Sequence, residues 1–376
     1  MTGRERLLAA LGAAPADRVG WAPELNDYYF RARLAEAGRE PPPDCPDKNA
    51  WRYAECAEMI GADCLWSHFP YRVDFRGTEE VVTKDAEGVT TRVLKTPKGE
   101  LVERSRYDDT ARSTFRLEHL LKTPEDFVRY RAHLDAAEVT ADYESFRRAE
   151  EAVGARGIVS VHVPETPIMG LIMYHMGIEE TLFACFDHAA EIRELFDAVH
   201  AFNMECYRVA CAPGAPGEMV RPFEDTSSSL TSPDMFDELC APYLSDYGEA
   251  SRAGGKQFVP HCCGTLAAML PRMKALPIDG IEAATPPPTG DAPATMLREV
   301  MGPDCLILGG FDPTRSAISS PAEVSEMVGR VLEEMRGDAR FVLAHEEISP
   351  AAKPECVEAM ARQVAASAID GKDIAG

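Results

Sequence analysis

Positive charge is scarce in this chain: 39 Lys and Arg stand against 62 Asp and Glu over 376 residues, a formal net charge of −23. Nucleic-acid binding rests on clustered Lys and Arg that displace counterions from phosphates, so a polyanion partner is excluded as a class. No apolar run approaches the roughly 20 residues that a membrane-spanning helix needs, and no apolar leader opens the chain. Internal repeats and low-complexity tracts are missing too, apart from Pro286-Pro287-Pro288, which reads as a rigid loop. The 11 cysteines are scattered without the spacing of a disulfide framework, as in a reducing compartment. A cytoplasmic protein with no membrane and no nucleic-acid partner is expected, and a homodimer is left open.

What is present is a rhythm. Short β-type runs recur, each followed by a turn and a segment of helical periodicity, the pattern of a parallel sheet with crossover helices. Eight such runs occur: Val19–Leu25, Ala62–Ser67, Gly157–Val163, Glu218–Phe223, Lys256–Pro260, Asp279–Ala283, Cys305–Gly309 and Arg340–Ala344. Eight units predict an α/β fold, a closed (β/α)8 TIM barrel, as one domain over residues 1–376. Residues 1–18 read as an N-terminal helical extension. Residues 75–116 break the rhythm with alternating side chains around Pro97-Lys98-Gly99 and read as an inserted β-hairpin. Thr123-Pro124-Glu125-Asp126 reads as a helix start.

Catalytic groups in such barrels gather where the strands end. The expected ends carry Glu24 and Asp27, His68, His162 and Glu165, Glu224 and Asp225, His261 and Cys263, Glu282, Asp312, and Glu346 and Glu347. His261 and Cys263 are two apart, so on an extended segment they project from the same side, and Cys262 from the other. With Glu282 on the next strand they can meet at one metal ion, Glu347 or Glu346 offering a fourth ligand. Glu282 has a plainer role beside this one, capping the loop before Thr285. Trp66, His68, Phe69, Tyr71, Tyr174 and His175 are pocket candidates that core packing would equally explain, as it would His162.

Pro260-His261-Cys262-Cys263-Gly264, Asp279-Gly280-Ile281-Glu282, Gly309-Gly310-Phe311-Asp312-Pro313 and Phe341-Val342-Leu343 together resemble the uroporphyrinogen decarboxylase superfamily, in particular its cobamide-dependent methyltransferase branch. Pro164-Glu165-Thr166-Pro167 and Pro242-Tyr243-Leu244 extend the resemblance, which runs from about Arg4 to about Ala365. It implies a zinc-dependent methyltransferase in which His-x-Cys and a later Cys bind the metal. Here the later Cys corresponds to Glu347, a hard carboxylate in place of a soft thiolate, which favours an oxygen over a sulfur substrate.

The resemblance thus implies zinc on His261, Cys263, Glu282 and Glu347, polarising the oxygen of an aromatic methyl ether while the methyl group passes to the Co(I) corrinoid (cobalamin) of a partner protein. Glu224 and Asp225 would serve as acids for the leaving oxygen. Asp27, Tyr28, Trp66, His68, Tyr71, His162 and Tyr174 would hold the methyl donor. Three alternatives stand beside this: methyl transfer from methylcobamide to a thiol, decarboxylation of a uroporphyrinogen-type substrate, and a non-catalytic corrinoid-binding accessory barrel. Decarboxylases carry an Arg-rich segment after the first strand, whereas this chain has Glu24-Leu25-Asn26-Asp27-Tyr28-Tyr29-Phe30, which would repel a polycarboxylate.

Overall fold

The computed structural model describes residues 1–368. Packing divides the chain into two compact units, the first formed by Met1–Pro70, Asp142–Val163 and the chain from Ala210 onward, the second by Tyr71–Ala141 and Pro164–Val209.

The first unit holds all eight expected strands: β1 Gly20–Trp21, β2 Cys64–His68, β3 Gly157–Val161, β4 Met219–Val220, β5 Gln257–Phe258, β6 Gly280–Ala284, β7 Leu306–Gly310 and β8 Phe341–Ala344. Parallel ladders join β2, β3, β4 and β5 in order, and β6, β7, β8 and β1 likewise. Two further contacts complete a TIM-barrel ring. Asp279 N donates to Phe258 O at 2.8 Å and Glu282 N to Pro260 O at 3.1 Å, joining β5 to β6, while Asp63 N donates to Trp21 O at 2.6 Å, joining β2 to β1.

Three strands are shorter than their sequences suggest, and proline is the reason. Pro23, Pro222 and Pro260 lack the N–H that a central ladder requires. Pairing stops before each and resumes beyond it as single bridges, Leu25 with Ile348, Phe223 with His261, and His261 with Glu282.

The expected N-terminal extension is the helix Gly3–Leu11, opened by reciprocal bonds between Thr2 and Glu5. Its Leu7, Ala10 and Leu11 share one buried cluster with Leu65, Ile158, Met219, Leu306 and Val342, one residue from each of five strands, and with Val259 just past β5. Burying each such side chain stabilises the fold by about 1.5–3 kcal/mol. Because strand side chains alternate, this layer fixes what faces inward further along. Two positions on come Ala22, Ser67, Ser160, Arg221, His261, Leu308 and Ala344. Two more bring Glu24, Phe69, His162, Phe223, Cys263 and Glu346 to the strand ends.

In the second unit, Tyr71–Phe75 pairs antiparallel with Ala137–Ala141. The expected hairpin is the middle of a four-stranded antiparallel sheet, Glu79–Lys84, Val89–Thr96, Gly99–Asp108 and Ser113–Glu118, with Thr96 opposite Gly99 across the turn. The two outer strands are almost wholly exposed, so no buried face imposes an alternation that could be read from sequence. The helix Pro124–Leu134 starts where expected, with Asp126 Oδ2 accepting from Thr123 N at 3.2 Å. Among the described residues no helix is long and apolar enough to cross a membrane.

Candidate metal centre

Irregular backbone builds the site out of regular strands. Beyond Pro222 the chain curls over β5, so that Glu224 N and Asp225 N both donate to His261 O, at 3.0 and 2.9 Å. Asp225 takes φ 47° to do so. On the other side, the register of β6 shifts between Glu282 and Ala284, and the intervening Ala283 has φ 66°. A left-handed backbone costs a non-glycine residue about 1–2 kcal/mol. Both strained residues flank His261, and both aim a carboxylate at it.

His261 is 3 % exposed and has a different neighbour at each nitrogen. Nδ1 lies 2.5 Å from Glu282 Oε2, and Nε2 lies 3.4 Å from Asp225 Oδ1. Cys263 Sγ donates to the same Asp225 oxygen at 3.1 Å. Ligand atoms of Asp225, His261 and Cys263 lie within 4.8 Å of one another, as do those of Glu24, His261 and Glu282. A tetrahedral zinc site separates its ligand atoms by roughly 3.5 Å, so small rotations close the first set on an ion. Its chemistry fits: an imidazole nitrogen, a thiol and a carboxylate converge with no lysine or arginine among them. The second set is already occupied from within, because Glu282 holds Nδ1 and so presents Nε2 to Asp225 and Cys263.

Beneath His261 runs a buried ionic chain. Arg221, 4 % exposed, donates from Nη1 to Glu282 Oε2 at 3.1 Å, from Nη2 to Ser67 Oγ at 3.0 Å and from Nε to Ser160 Oγ at 3.3 Å. Burial acts to raise the Glu282 carboxyl, but His261 and Arg221 outweigh it and hold the group well below the ordinary range. Burial acts to lower His261, and Glu282, Glu24 and Asp225 together lift it above its usual value. Burial raises Glu24, against the pull of Arg221. Cys263 is pushed up by burial and by the charges of Asp225 and Glu346, the latter also a hydrogen-bond partner.

The expected site residues divide. His261, Cys263, Glu282 and Asp225 come together, and His162 stands above them, its ring 5.1 Å from that of Phe223, which is 5.0 Å from His261. Burial holds His162 down to about 3. Glu347 does not join: Val342 and Ala344 face inward, so Glu346 follows them, and Glu347 accepts instead from Asn26 Nδ2. Glu224 is out of phase in the same way, fully buried and accepting from Thr226 Oγ1 at 2.8 Å. Trp66 and His68 alternate outward to the surrounding helices, Trp66 against Tyr53 at 5.1 Å and His68 on Ser145 Oγ at 2.9 Å. Asp27 opens the helix Asp27–Glu36 and pairs with Arg31 at 2.6 Å, with Tyr28 exposed beside it. Tyr71 is buried and Tyr174 exposed, both in the second unit. Glu24, expected at a strand end, and Phe69, a pocket candidate, face inward, whereas the buried Arg221 received no site role from sequence. Counting two residues on from Met219 of the apolar layer reaches it.

Comparison with known proteins agrees with this architecture. The family model described as "Uroporphyrinogen decarboxylase (URO-D)" matches residues 111–367, more than half of the chain. Among solved structures, a methyltransferase from Methanosarcina mazei is 14% identical with a TM-score of 0.64, over 97% of this chain and 99% of that one. A B12-independent methionine synthase from Shewanella sp. W3-18-1 is 11% identical with a TM-score of 0.41, over 93% and 95%. No curated protein matches the chain significantly.

Proposed function

The chain belongs to the uroporphyrinogen decarboxylase family, and from that premise we propose that it is a zinc-dependent methyltransferase of the cobamide branch, moving a methyl group from an aromatic methyl ether to the Co(I) corrinoid of a partner protein. The convergence of Asp225, His261 and Cys263 within 4.8 Å carries this reading, because a decarboxylase has no need of a nitrogen, thiol and carboxylate set. The fold shared with the Methanosarcina mazei methyltransferase supports it. So does the charge of the barrel mouth. Glu24 and Asp225 would repel a polycarboxylate, and the guanidinium of Arg221 is taken by Glu282, Ser67 and Ser160.

Asp225, His261 and Cys263 would hold the zinc. When bound, it supplies Lewis-acid stabilisation of negative charge on the ether oxygen. Glu282 keeps the proton of His261 on Nδ1, and Arg221 keeps Glu282 in place. The rings of Phe69, His162 and Phe223 offer an apolar wall for an arene. Glu346, beside Cys263 and with its carboxyl raised from the ordinary value by burial, is the acid that would supply a proton to the departing oxygen. Overall, the O–CH3 bond breaks with its electron pair left on oxygen, which takes the proton. The Co(I) of the partner provides the pair for the new carbon–cobalt bond. The test is an assay of reconstituted protein with a reduced corrinoid protein and methoxyarenes, following the loss of the Co(I) spectrum. Substrate-dependent methylcobalt formation is expected; its absence across the panel, with carbon dioxide released from a tetrapyrrole carboxylate instead, would overturn the reading.

A further inference from the structure

We infer that two copies of this chain pair through the second unit, the outward face of its four-stranded sheet lying on the same face of the other copy about a two-fold axis along the row Val81, Val93 and Val102.

Strand pairing sorts the side chains of this sheet onto two faces. Leu94 stands opposite Leu101, both are buried, and Gly99 on their side lies against Arg129 of the helix Pro124–Leu134. That face is covered. On the other, Val81 stands opposite Val93 and Val93 opposite Val102, a row across three strands, and Phe115 of the fourth strand is 53 % exposed opposite Arg106. A solvated face of an antiparallel sheet is ordinarily polar, so a row of valines there calls for a cover.

The charges beside the row identify that cover. Along Gly99–Asp108 the outward residues run Glu100, Val102, Arg104, and the two charged ones are exposed, with no ion pair among the described residues. An axis along the valines reverses the strand direction. It lays Glu100 of each copy on Arg104 of the other, twice over, as an isologous contact requires, and each valine on its own counterpart. Lys95 and Glu79, already paired with each other at 3.1 Å, come opposite Thr91 and Thr83, so no like charges meet. A partner of one charge would suit one side of the row and be repelled at the other. The same face inverted suits both. The two shorter strands have six residues, so the four together present a face of about 20 by 20 Å, roughly 400 Å². Beside the roughly 800 Å² per partner of a standard interface this is small, and it predicts a dissociation constant in the micromolar range.

Sedimentation velocity of the full chain from about 1 to about 100 µM tests this, with Glu100→Arg, Arg104→Glu and the variant carrying both. Wild type should pass from monomer to dimer over that range. Each single reversal sets like charges against each other at both contacts and should weaken the dimer by at least about 10-fold, whereas the double variant exchanges the signs and should return to within about threefold of wild type. Arg104→Ala, which removes the attraction without adding a repulsion, should weaken it by about 3- to 10-fold and decides the question should a reversal fail to fold, as circular dichroism will show. A wild type that stays monomeric throughout, a dimer that neither the reversals nor Arg104→Ala weaken, or a double variant no tighter than the single reversals would each overturn the inference.

Discussion

Replacing Glu282 by Gln separates a residue that holds the metal from one that holds the histidine. Glu282 Oε2 accepts from His261 Nδ1 at 2.5 Å and from Arg221 Nη1 at 3.1 Å, and its side chain is 2 % exposed. Glutamine keeps the shape but loses the charge, so the ring is no longer held with Nε2 toward Asp225 and Cys263. Removing such an outer partner of a ligating histidine costs about 10- to 100-fold in metal affinity, or roughly 1.4–2.7 kcal/mol. The same change leaves Arg221 buried with no counter-charge within hydrogen-bond reach. Breaking a buried pair costs about 3–5 kcal/mol, and the remaining carbonyl oxygen of Gln places this case near 3. Spread over an unfolding entropy of about 2.1 cal/mol/K per residue, that loss lowers the melting temperature by about 4 °C for a chain of 376 residues. Zinc competition against a chromophoric chelator and calorimetry of the metal-free protein measure the two effects. One zinc per chain should remain, bound more weakly. Complete loss of zinc would make Glu282 a direct ligand, and an affinity within twofold of wild type would show that it does not position His261; either refutes the reasoning.

At the end of β8, Glu346→Gln should lower kcat by about 100-fold, the scale of a lost general acid, whereas Glu347→Gln, changing a residue held by Asn26, should stay within about threefold; steady-state kinetics of the two variants checks the assignment. Acid should destabilise the second unit through His133 and His175, which burial holds down to about 4 and about 3. Since the unfolded chain takes up these protons near pH 6.5 and the native one does not, stability is full above that pH. It is lost as pH falls toward those values, at a slope approaching about 1.4 kcal/mol per pH unit for each histidine. Urea titrations of wild type and His133→Gln between pH 7 and 4.5 should show a shallower slope in the variant, and equal slopes would contradict the argument. Gly157→Ala should abolish soluble folded protein, because its Cβ would stand 1.8 Å from Cys64 O across the β2–β3 ladder; an expression trial with circular dichroism decides it.

Much of the barrel was legible because apolar runs alternate with helical periods, and all eight strands fell inside or within one residue of their expected runs. Their lengths were not, since Pro23, Pro222 and Pro260 end the ladders while the apolar pattern continues past them. The candidate metal set was half legible. His261 and Cys263 share a face whatever the register, so their spacing sufficed. Glu347 was preferred over Glu346 by alignment with a relative's cysteine, although the inward Val342 and Ala344 select Glu346 by parity. Asp225 was recognised as an acid but not as a neighbour of His261 Nε2, because only the left-handed turn at its own backbone swings it there. Glu282 was expected beside His261 and lies there, but on Nδ1 and not on the side of Asp225 and Cys263, a distinction that one-dimensional spacing does not carry.

X-ray absorption at the zinc edge of protein purified under reducing conditions addresses the central claim most directly. One zinc per chain is expected, with one sulfur neighbour at about 2.3 Å and the remaining neighbours nitrogen or oxygen at about 2.0–2.2 Å. The sulfur shell should vanish in Cys263→Ala. Wild-type protein with no bound transition metal, or a zinc whose coordination is unchanged by Cys263→Ala, would contradict the account.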